Sequence, residues 1–263
     1  MKDKEMLGTA PVGRLLFKLA VPTVTAQLIN MLYNIVDRIF IGHIPEIGDL
    51  ALTGVGICMP IIMVVSAVAA LVGSGGAPRA SIAMGEGKND NAERILGNCF
   101  ALQIGISVIL TAILLIFNRP LLLAFGASEN TIDFACDYMN IYALGTIFVQ
   151  LTLGMNAFIT AQGYSKIAMI SVVLGAVANI SLDPLFINVF GMGVRGAALA
   201  TVISQSISTA WIILFLFSKR ARIRLKVSNM KLSARVILPC IGLGLAPFMM
   251  QASESVISVC FNS

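Results

Sequence analysis

Long apolar runs recur along this chain, separated by short polar segments. Six of them reach the roughly 20 residues that a helix needs to cross the hydrocarbon core of a bilayer. They lie at about 15–41, 52–77, 95–117, 138–161, 167–190 and 196–217. A seventh run occupies about 236–260. The pattern predicts an all-α, polytopic membrane helix bundle.

Polar residues interrupt the first apolar run at a helical spacing. They are separated by 4, 3, 4 and 3 positions and are Thr23, Gln27, Asn30, Asn34 and Asp37. At about 3.6 residues per turn they share one face of a helix. Because lipid accommodates such groups poorly, we expect this face to line other helices or a water-filled cavity, with Arg38 pointing outward. The structural alternative is an interhelical hydrogen-bond seam with no transport role.

The fifth run carries an acid in an apolar setting. Asp183 is the only charged residue between Lys166 and Arg195, and an ionised Asp costs roughly 2.5–3.5 kcal/mol at mid-bilayer. Asn179 precedes it by four positions and shares its face, while Pro184 leaves a backbone carbonyl of the preceding turn without a donor. Such oxygens suit a hard cation, and an apolar site suits a protonated carboxyl equally well. A proline kink stabilised by a protonated acid is the structural alternative.

Two further runs carry polar seams. The sixth has polar residues at i, i+3, i+4 and i+7, namely Thr201, Ser204, Gln205 and Ser208, and the fourth has Thr152 and Asn156 on one side. Hydroxyls in membrane helices often only bond back to the preceding turn. Four hydrophilic faces, two of them acidic, nevertheless predict a shared polar interior.

Composition and charge support a membrane protein with a defined orientation. Hydrophobic residues make up 57% and charged residues 12% of the chain, against about 45–50% and 25% in soluble domains. Only Arg119 and Arg195 fall on one side of the six spans. The other side receives Lys2, Lys4, Arg14, Lys18, Arg79, Lys88, Arg94, Lys166 and the cluster from Lys219 to Arg235. The asymmetry predicts a cytoplasmic N-terminus, with the cluster touching anionic headgroups and not nucleic acid.

The chain offers little material for metal or enzyme chemistry. Its five cysteines show no CxxC motif and are interpreted as packing thiols. The single histidine, His43, is expected in a solvated loop. The glycine-rich stretch "VGSGGAPRASIAMGEGKNDNAERI" lacks the context of a phosphate-binding loop, so we expect it to pack helices, end the second span and turn through a cytoplasmic loop with a short amphipathic segment. No cofactor is expected.

The chain contains the start of an internal repeat. "KLAVPTVTAQL" and "GLGLAPFMMQAS" both place a proline after a small apolar run, with a glutamine four or five residues later. Each opens a span that also carries an acid, Asp37 or Glu254. Six spans followed by a restart are typical of transporters with two parallel repeats. We therefore predict a six-helix lobe at 1–222, followed at 223–263 by a cytoplasmic linker and the first helix of a second lobe.

Several stretches together resemble the multidrug and toxic compound extrusion (MATE) transporters, in particular the bacterial members. They cover nearly the whole chain and are "LAVPTVTAQLINMLYNIVDRIFIG", "GSGGAPRASIAMGEGKNDNAERI", "FITAQGYSKIAMI", "VANISLDPLF", "GMGVRGAALATVISQ" and "LAPFMMQASESV". The resemblance implies a bacterial inner-membrane pump of two six-helix lobes. Such pumps export organic cations and amphipathic drugs in exchange for H⁺ or Na⁺. The rest of the second lobe, or a second copy of the chain, would then be the partner.

The resemblance also assigns roles to residues. Asp37, Asn179 and Asp183, assisted by Asn156 and Thr201, match the cation-coupling positions of the first lobe, and Na⁺ would bind at Asp37 and Asp183. Glu254 resembles an acid that some members carry on the seventh helix. With the polar residues Gln27, Asn30, Asn34 and Gln205, it is expected to line the substrate cavity. Pro22 and Pro184 are candidate hinges.

The expected mechanism is antiport by competition for negative charge. H⁺ or Na⁺ would neutralise the two aspartates in one state of the lobe, and a cationic drug would occupy the cavity in the other. Two alternatives remain open: a lipid-linked sugar flippase of the same broad superfamily, and a truncated membrane protein that transports nothing.

Overall fold

Seven long helices and one short helix form a bundle without strands in the part of the chain that the structure describes. The computed structural model describes the backbone of residues 11–262, and the side chains of that range except at 12, 14, 15, 256 and 258–262. The spanning helices are α1 (Val12–Gly42), α2 (Gly48–Gly85), α3 (Asn89–Ile116), α5 (Ile132–Ala161), α6 (Ser165–Pro184), α7 (Gly193–Phe217) and α8 (Ala234–Asn262). The short α4 (Asn118–Ala124) joins α3 to α5. All seven are long and apolar enough to cross a membrane, so the all-α, multi-pass prediction is confirmed.

The second span ends within the glycine-rich stretch, as expected, but only in its second half. The helix α2 continues through Pro78 to Gly85, and α3 begins at Asn89 with no separate amphipathic segment between them. The turn is confined to residues 86–88, where Gly87 adopts a φ of 78° that side chains disfavour. The glycines before Pro78 therefore belong to a helix, where they allow close packing.

Close packing is most evident where α2 meets α8. A Cβ on Gly75 would collide with the backbone carbonyl of Cys240, and one on Gly244 would collide with that of Leu71. Arg79 adds a hydrogen bond from Nη1 to the carbonyl oxygen of Val236, at 3.0 Å. The seventh spanning helix is thus docked on the preceding six by backbone contact.

We expect Gly75→Ala to lower the free energy of unfolding by about 1–3 kcal/mol, because the added methyl must force α2 and α8 apart. Gly56→Ala on the same helix is the matched control, since its Cβ would meet no atom within 4 Å. Thermal unfolding of both variants in detergent measures the effect. Equal stability of the two variants would contradict the close contact.

The linker between α7 and α8 is held against the bundle. The Gln162 side-chain oxygen accepts from the backbone N–H groups of Arg222 and Ile223, at 2.9 and 3.1 Å. Glu93 accepts from the backbone N–H of Arg224 and pairs with Lys226. Ile223 is fully buried in an apolar cluster. The predicted domain boundary at 222–223 stays a prediction, but the linker on its far side is packed on the lobe.

Two apolar clusters lie towards opposite ends of the bundle. One contains Leu96, Phe158 and Ile212 and lies at the end that carries the linker. The other contains Ile41 and Met139 and lies at the end that carries α4. We call these the linker end and the α4 end. The polar faces of α1, α5, α6 and α7 meet between them, beside the lipid-exposed surface.

α1 is the least buried of the spanning helices and packs mainly against α6. Its apolar side is exposed over its whole length, for example at Leu28 and Ile35. Arg38 is also exposed, as expected. The opposite face of α1, which carries the polar stripe, is turned towards α6 and the helices beside it.

The remaining sequence predictions concern single side chains. Cys58, Cys99 and Cys240 are buried and Cys136 is half-buried, all as free thiols, in agreement with packing roles. His43 follows α1 and is exposed, with Nδ1 2.7 Å from the carbonyl oxygen of Ile39. Lys2, Lys4 and the side chains of Arg14 and Cys260 lie outside the described residues.

Candidate functional site

Two carboxyl groups from different helices meet inside the bundle. Asp37 of α1 is 6% exposed and Asp183 of α6 is fully buried. Their side chains lie close enough to interact with each other. Asn179, one turn before Asp183 on α6, donates from Nδ2 to Asp183 Oδ1 at 3.2 Å. Since two adjacent buried carboxylates repel each other, the arrangement is suited to holding a positive charge between them.

The oxygens of this group have unused acceptor capacity. Asp37 Oδ1, Asp183 Oδ2 and Asn179 Oδ1 are buried and have no hydrogen-bond partner among the described residues. Buried polar atoms normally have a partner, so each orphan needs an explanation. Two carboxylates and an amide offer oxygen ligands for a hard cation, or a binding place for a proton. Within the described residues there is no cluster of three His, Cys, Asp or Glu side chains for a metal ion.

A cavity of about 180 Å³ opens beside Asp37, towards the α4 end. We call it the acid-side cavity. Of the residues predicted from sequence, it is lined by Asn30, Asn34, Asp37, Thr201 and Gln205. Asn34 is exposed and bonds back from Nδ2 to the Asn30 carbonyl oxygen at 2.7 Å. The stripe on α1 therefore faces a cavity, one of the two surroundings expected for it.

Three tyrosines line the acid-side cavity and were missed by the sequence reasoning: Tyr33, Tyr138 and Tyr142. The Tyr33 side chain contacts that of Gln205, and Tyr138 contacts Thr201. The rings of Tyr138 and Tyr142 are stacked with centroids 6.2 Å apart. Tyr33 had a signal in the sequence, because it precedes Asp37 by four positions and so shares its face. The two α5 tyrosines had none beyond their mutual spacing of four.

A second cavity, also of about 180 Å³, extends from the same region towards the linker end. We call it the linker-side cavity. It is lined by Gln27, Asn30, Asn156, Asn179, Thr201 and Gln205 from the predicted set. Asn156 donates from Nδ2 to the Ala168 carbonyl oxygen at 3.4 Å, while its Oδ1 and Gln205 Oε1 remain unpartnered among the described residues. Of the five predicted coupling residues, Thr201 lines both cavities, Asp37 lines the acid-side cavity, Asn156 and Asn179 line the linker-side cavity, and Asp183 lines neither but contacts Asn179.

The lining of both cavities mixes polar and apolar side chains and includes no basic residue among those described. Among the described residues that line them, none is Lys, Arg or His, while Asp37 lines one and Asp183 lies directly behind it. The site therefore presents carboxyl, amide, hydroxyl and phenol groups. A positively charged ligand is favoured electrostatically in such a pocket, and an anion is disfavoured.

The two candidate hinge residues occupy different kinds of position. Pro22 is buried inside α1. Pro184 is the last α-helical residue of α6, and a π-helical turn, Leu185–Val189, follows it directly. A π-turn next to a proline is a recognised cause of local helix irregularity. A bending motion at either proline stays a prediction.

Glu254 lies apart from the other predicted residues. It is an exposed residue of α8, a helix that packs mainly against α2, and it lines neither cavity. Its neighbour Ser255 is buried and donates to the Pro60 carbonyl oxygen at 2.9 Å. A role for Glu254 in the substrate cavity stays a prediction, because further helices would have to pack beside Glu254 to form a cavity around it.

Comparison with known proteins gives a consistent picture. The family model MatE matches residues 22–185. The chain is 29% identical over 210 residues to the FAD transporter of Shewanella oneidensis, covering 78% of this chain and 45% of that protein. It is 25% identical over 264 residues to the multidrug export protein MepA of Staphylococcus haemolyticus, covering 100% of this chain and 58% of that protein. The chain therefore spans about half the length of these curated relatives.

Solved structures agree with the fold. Two are described as the inward-facing and the outward-facing conformation of a multidrug resistance MATE family transporter of the MOP superfamily. The inward-facing one has a TM-score of 0.82 at 25% identity, covering 93% of this chain and 55% of that one. The outward-facing one has a TM-score of 0.88 at 26% identity, covering 97% of this chain and 56% of that one.

Proposed function

The chain belongs to the MatE family of membrane transport proteins, and from this premise we propose that it exports cationic or amphipathic small molecules in exchange for H⁺ or Na⁺. MatE proteins are transporters and not enzymes. The observation that carries the antiport proposal is the buried pair of Asp37 and Asp183, with unpartnered oxygens, at the junction of two cavities. A coupling cation and an organic cation would compete for the negative charge of such a pair.

The coupling follows from competition for the same negative charge. With H⁺ or Na⁺ bound between Asp37 and Asp183, the repulsion of the two carboxylates is relieved and the net charge of the ionised pair falls from −2 to −1. Once the ion leaves, an organic cation entering from the cavities is attracted to the same group. Each ligand shifts the equilibrium between the two states only by its difference in affinity for them. Exchange of the two cations is the expected result.

The cavity linings favour a cationic substrate. The named activities of the relatives include multidrug export and FAD transport, and FAD is an anion. An anion in these cavities would be repelled by Asp37, and the described lining residues include no basic side chain to offset that repulsion. Tyrosine faces, in contrast, attract quaternary ammonium and other organic cations. The same absence of basic residues argues against a lipid-linked sugar flippase.

Orientation and assembly are part of the proposal. The linker from Lys219 to Arg235 is rich in basic residues, which supports placing the linker end and the N-terminus in the cytoplasm of a bacterium, with the bundle in its inner membrane. Because the chain spans about half the length of its relatives, we propose that a second lobe, or a second copy of this chain, completes the pump.

Efflux from membrane vesicles tests the proposal. Vesicles containing the chain are loaded with a fluorescent organic cation or, in parallel, a fluorescent organic anion, and a Na⁺ or H⁺ gradient is imposed. We expect gradient-dependent efflux of the cation only. Efflux of the anion would contradict the assigned substrate class. Absence of efflux in every condition would favour a chain that does not transport by itself.

A further inference from the structure

The lining of the linker-side cavity extends along much of α6. It runs from Asn179, beside the acid pair, to Ser165, the first residue of the helix. These positions are 14 residues apart, or about 21 Å at 1.5 Å per residue. The hydrocarbon core of a bilayer is about 30 Å thick. Residues of this one cavity therefore span a large part of the membrane.

Unpartnered oxygens are spread along the whole length of this cavity. Asn179 Oδ1 and Gln205 Oε1 lie near the acid pair, Asn156 Oδ1 lies further along, and Ser165 Oγ lies at the far end. All four are buried and without a hydrogen-bond partner among the described residues. Buried water satisfies such groups where a cavity is roomy and polar enough to hold it. Polar side chains with unsatisfied oxygens therefore recur along the cavity, between apolar ones such as Met169 and Val172.

Other buried amides of the bundle behave differently. Gln103 and Gln150 also have an unpartnered side-chain oxygen, but their amide nitrogens donate to the α2 carbonyl oxygens of Ala69 and Val65, at 3.0 and 2.7 Å. Neither residue lines either cavity. They cross-link helices in a closely packed region. The unpartnered oxygens that belong to cavity-lining residues are on the α1–α5–α6–α7 side.

The far end of the linker-side cavity lies at the linker end of the bundle. Ser165 begins α6 directly after the turn that follows α5. In the same turn, the hydroxyl of Tyr164 donates to the Arg220 carbonyl oxygen at 3.0 Å, which places this end of the cavity, where Ser165 is buried, beside the basic linker. At the other end, Tyr33 and Gln205 contact each other and line both cavities. These two residues therefore lie where the linker-side cavity adjoins the acid-side cavity.

We infer that the linker-side cavity is a hydrated passage, within this one lobe, that connects the acid pair to the linker end. The coupling cation moves through it between Asp37 and Asp183 and the aqueous phase at that end. The substrate therefore need not share the route of the ion. The inference rests on the proposed function for the identity of the moving cation, while hydration of the passage can be tested without any transport.

Cysteine labelling tests the hydration. Ser165→Cys marks the end of the cavity beside the linker, and Val172→Cys marks a lining position half way along. Leu174→Cys is the matched control, because it lies two residues away at the same depth, is exposed on the apolar surface and does not line the passage. A membrane-impermeant quaternary ammonium methanethiosulfonate is added to either face of sealed vesicles, with the unsubstituted chain as background. We expect both lining cysteines to react at least tenfold faster than Leu174→Cys, and only from the linker face.

The outcomes separate this inference from the proposed function. Val172→Cys reacting no faster than Leu174→Cys, or reacting from the opposite face, overturns the passage even if cation efflux is normal. Where efflux is present, attaching the reagent to Val172→Cys places a fixed positive charge in the passage and should slow ion-coupled efflux at least tenfold, with no change in labelled Leu174→Cys. Unchanged efflux in labelled Val172→Cys shows that the ion travels elsewhere. Failure of efflux in the unlabelled chain counts against the function alone.

Discussion

Asp183→Asn is expected to abolish ion-coupled efflux while leaving the fold intact. Asparagine keeps the shape of the side chain and an oxygen that can accept from Asn179 Nδ2, as Asp183 Oδ1 does at 3.2 Å. It removes the charge that attracts a cation and the site that takes a proton. A charge about 4 Å from a bound cation contributes about 4 kcal/mol at an effective dielectric constant near 20, which corresponds to several hundredfold in affinity. Gradient-driven efflux of a fluorescent cation measures the loss.

The matched variants define what this loss means. Asp37→Asn should lose efflux to the same extent, and the double variant should be no worse than either single one, because two residues that act as a unit are not additive. Asp133→Asn is the control, since Asp133 is an exposed acid whose ion pair with Arg119 lies at the protein surface. Normal cation exchange in both Asp37→Asn and Asp183→Asn would refute the coupling mechanism.

Much of this site could be predicted from the sequence because polar residues stand out in an apolar helix. The spacing of Thr23, Gln27, Asn30, Asn34 and Asp37 fixes one face of α1, and lipid disfavours that face, which predicts that it meets protein or water. The isolated Asp183 with Asn179 one turn earlier gives the same information for α6. Periodicity does not state which faces meet. Their contact depends on how α1 packs on α6, and the family resemblance was needed to pair the two acids.

Other features have no such signal. An aromatic residue in a spanning helix looks the same whether it faces lipid, the core or a cavity, so Tyr138 and Tyr142 could not be assigned. The glycines before Pro78 resemble a helix end, but they continue α2 because another backbone packs against them, as Cys240 does at Gly75. The passage to Ser165 arises from space between four helices. No single segment of the sequence encodes that space.

The double variant Asp37→Asn/Asp183→Asn is expected to be more stable than the unmodified chain in the absence of the coupling ion, and to gain nothing from adding it. Two adjacent buried carboxyls with unpartnered oxygens disfavour the folded state, and removing the like charges should recover about 1–3 kcal/mol, the usual cost of an unsatisfied buried group. The unmodified chain should instead gain about 2.7 kcal/mol at an ion concentration 100 times the dissociation constant. Thermal unfolding in detergent, with and without Na⁺ at constant pH and then across a pH series without Na⁺, identifies the ion.

A non-transporting scaffold would be stabilised by the two substitutions, but the unmodified chain would not be stabilised by the ion. A double variant that still responds to the ion as the Asp133→Asn control does would place the cation site elsewhere.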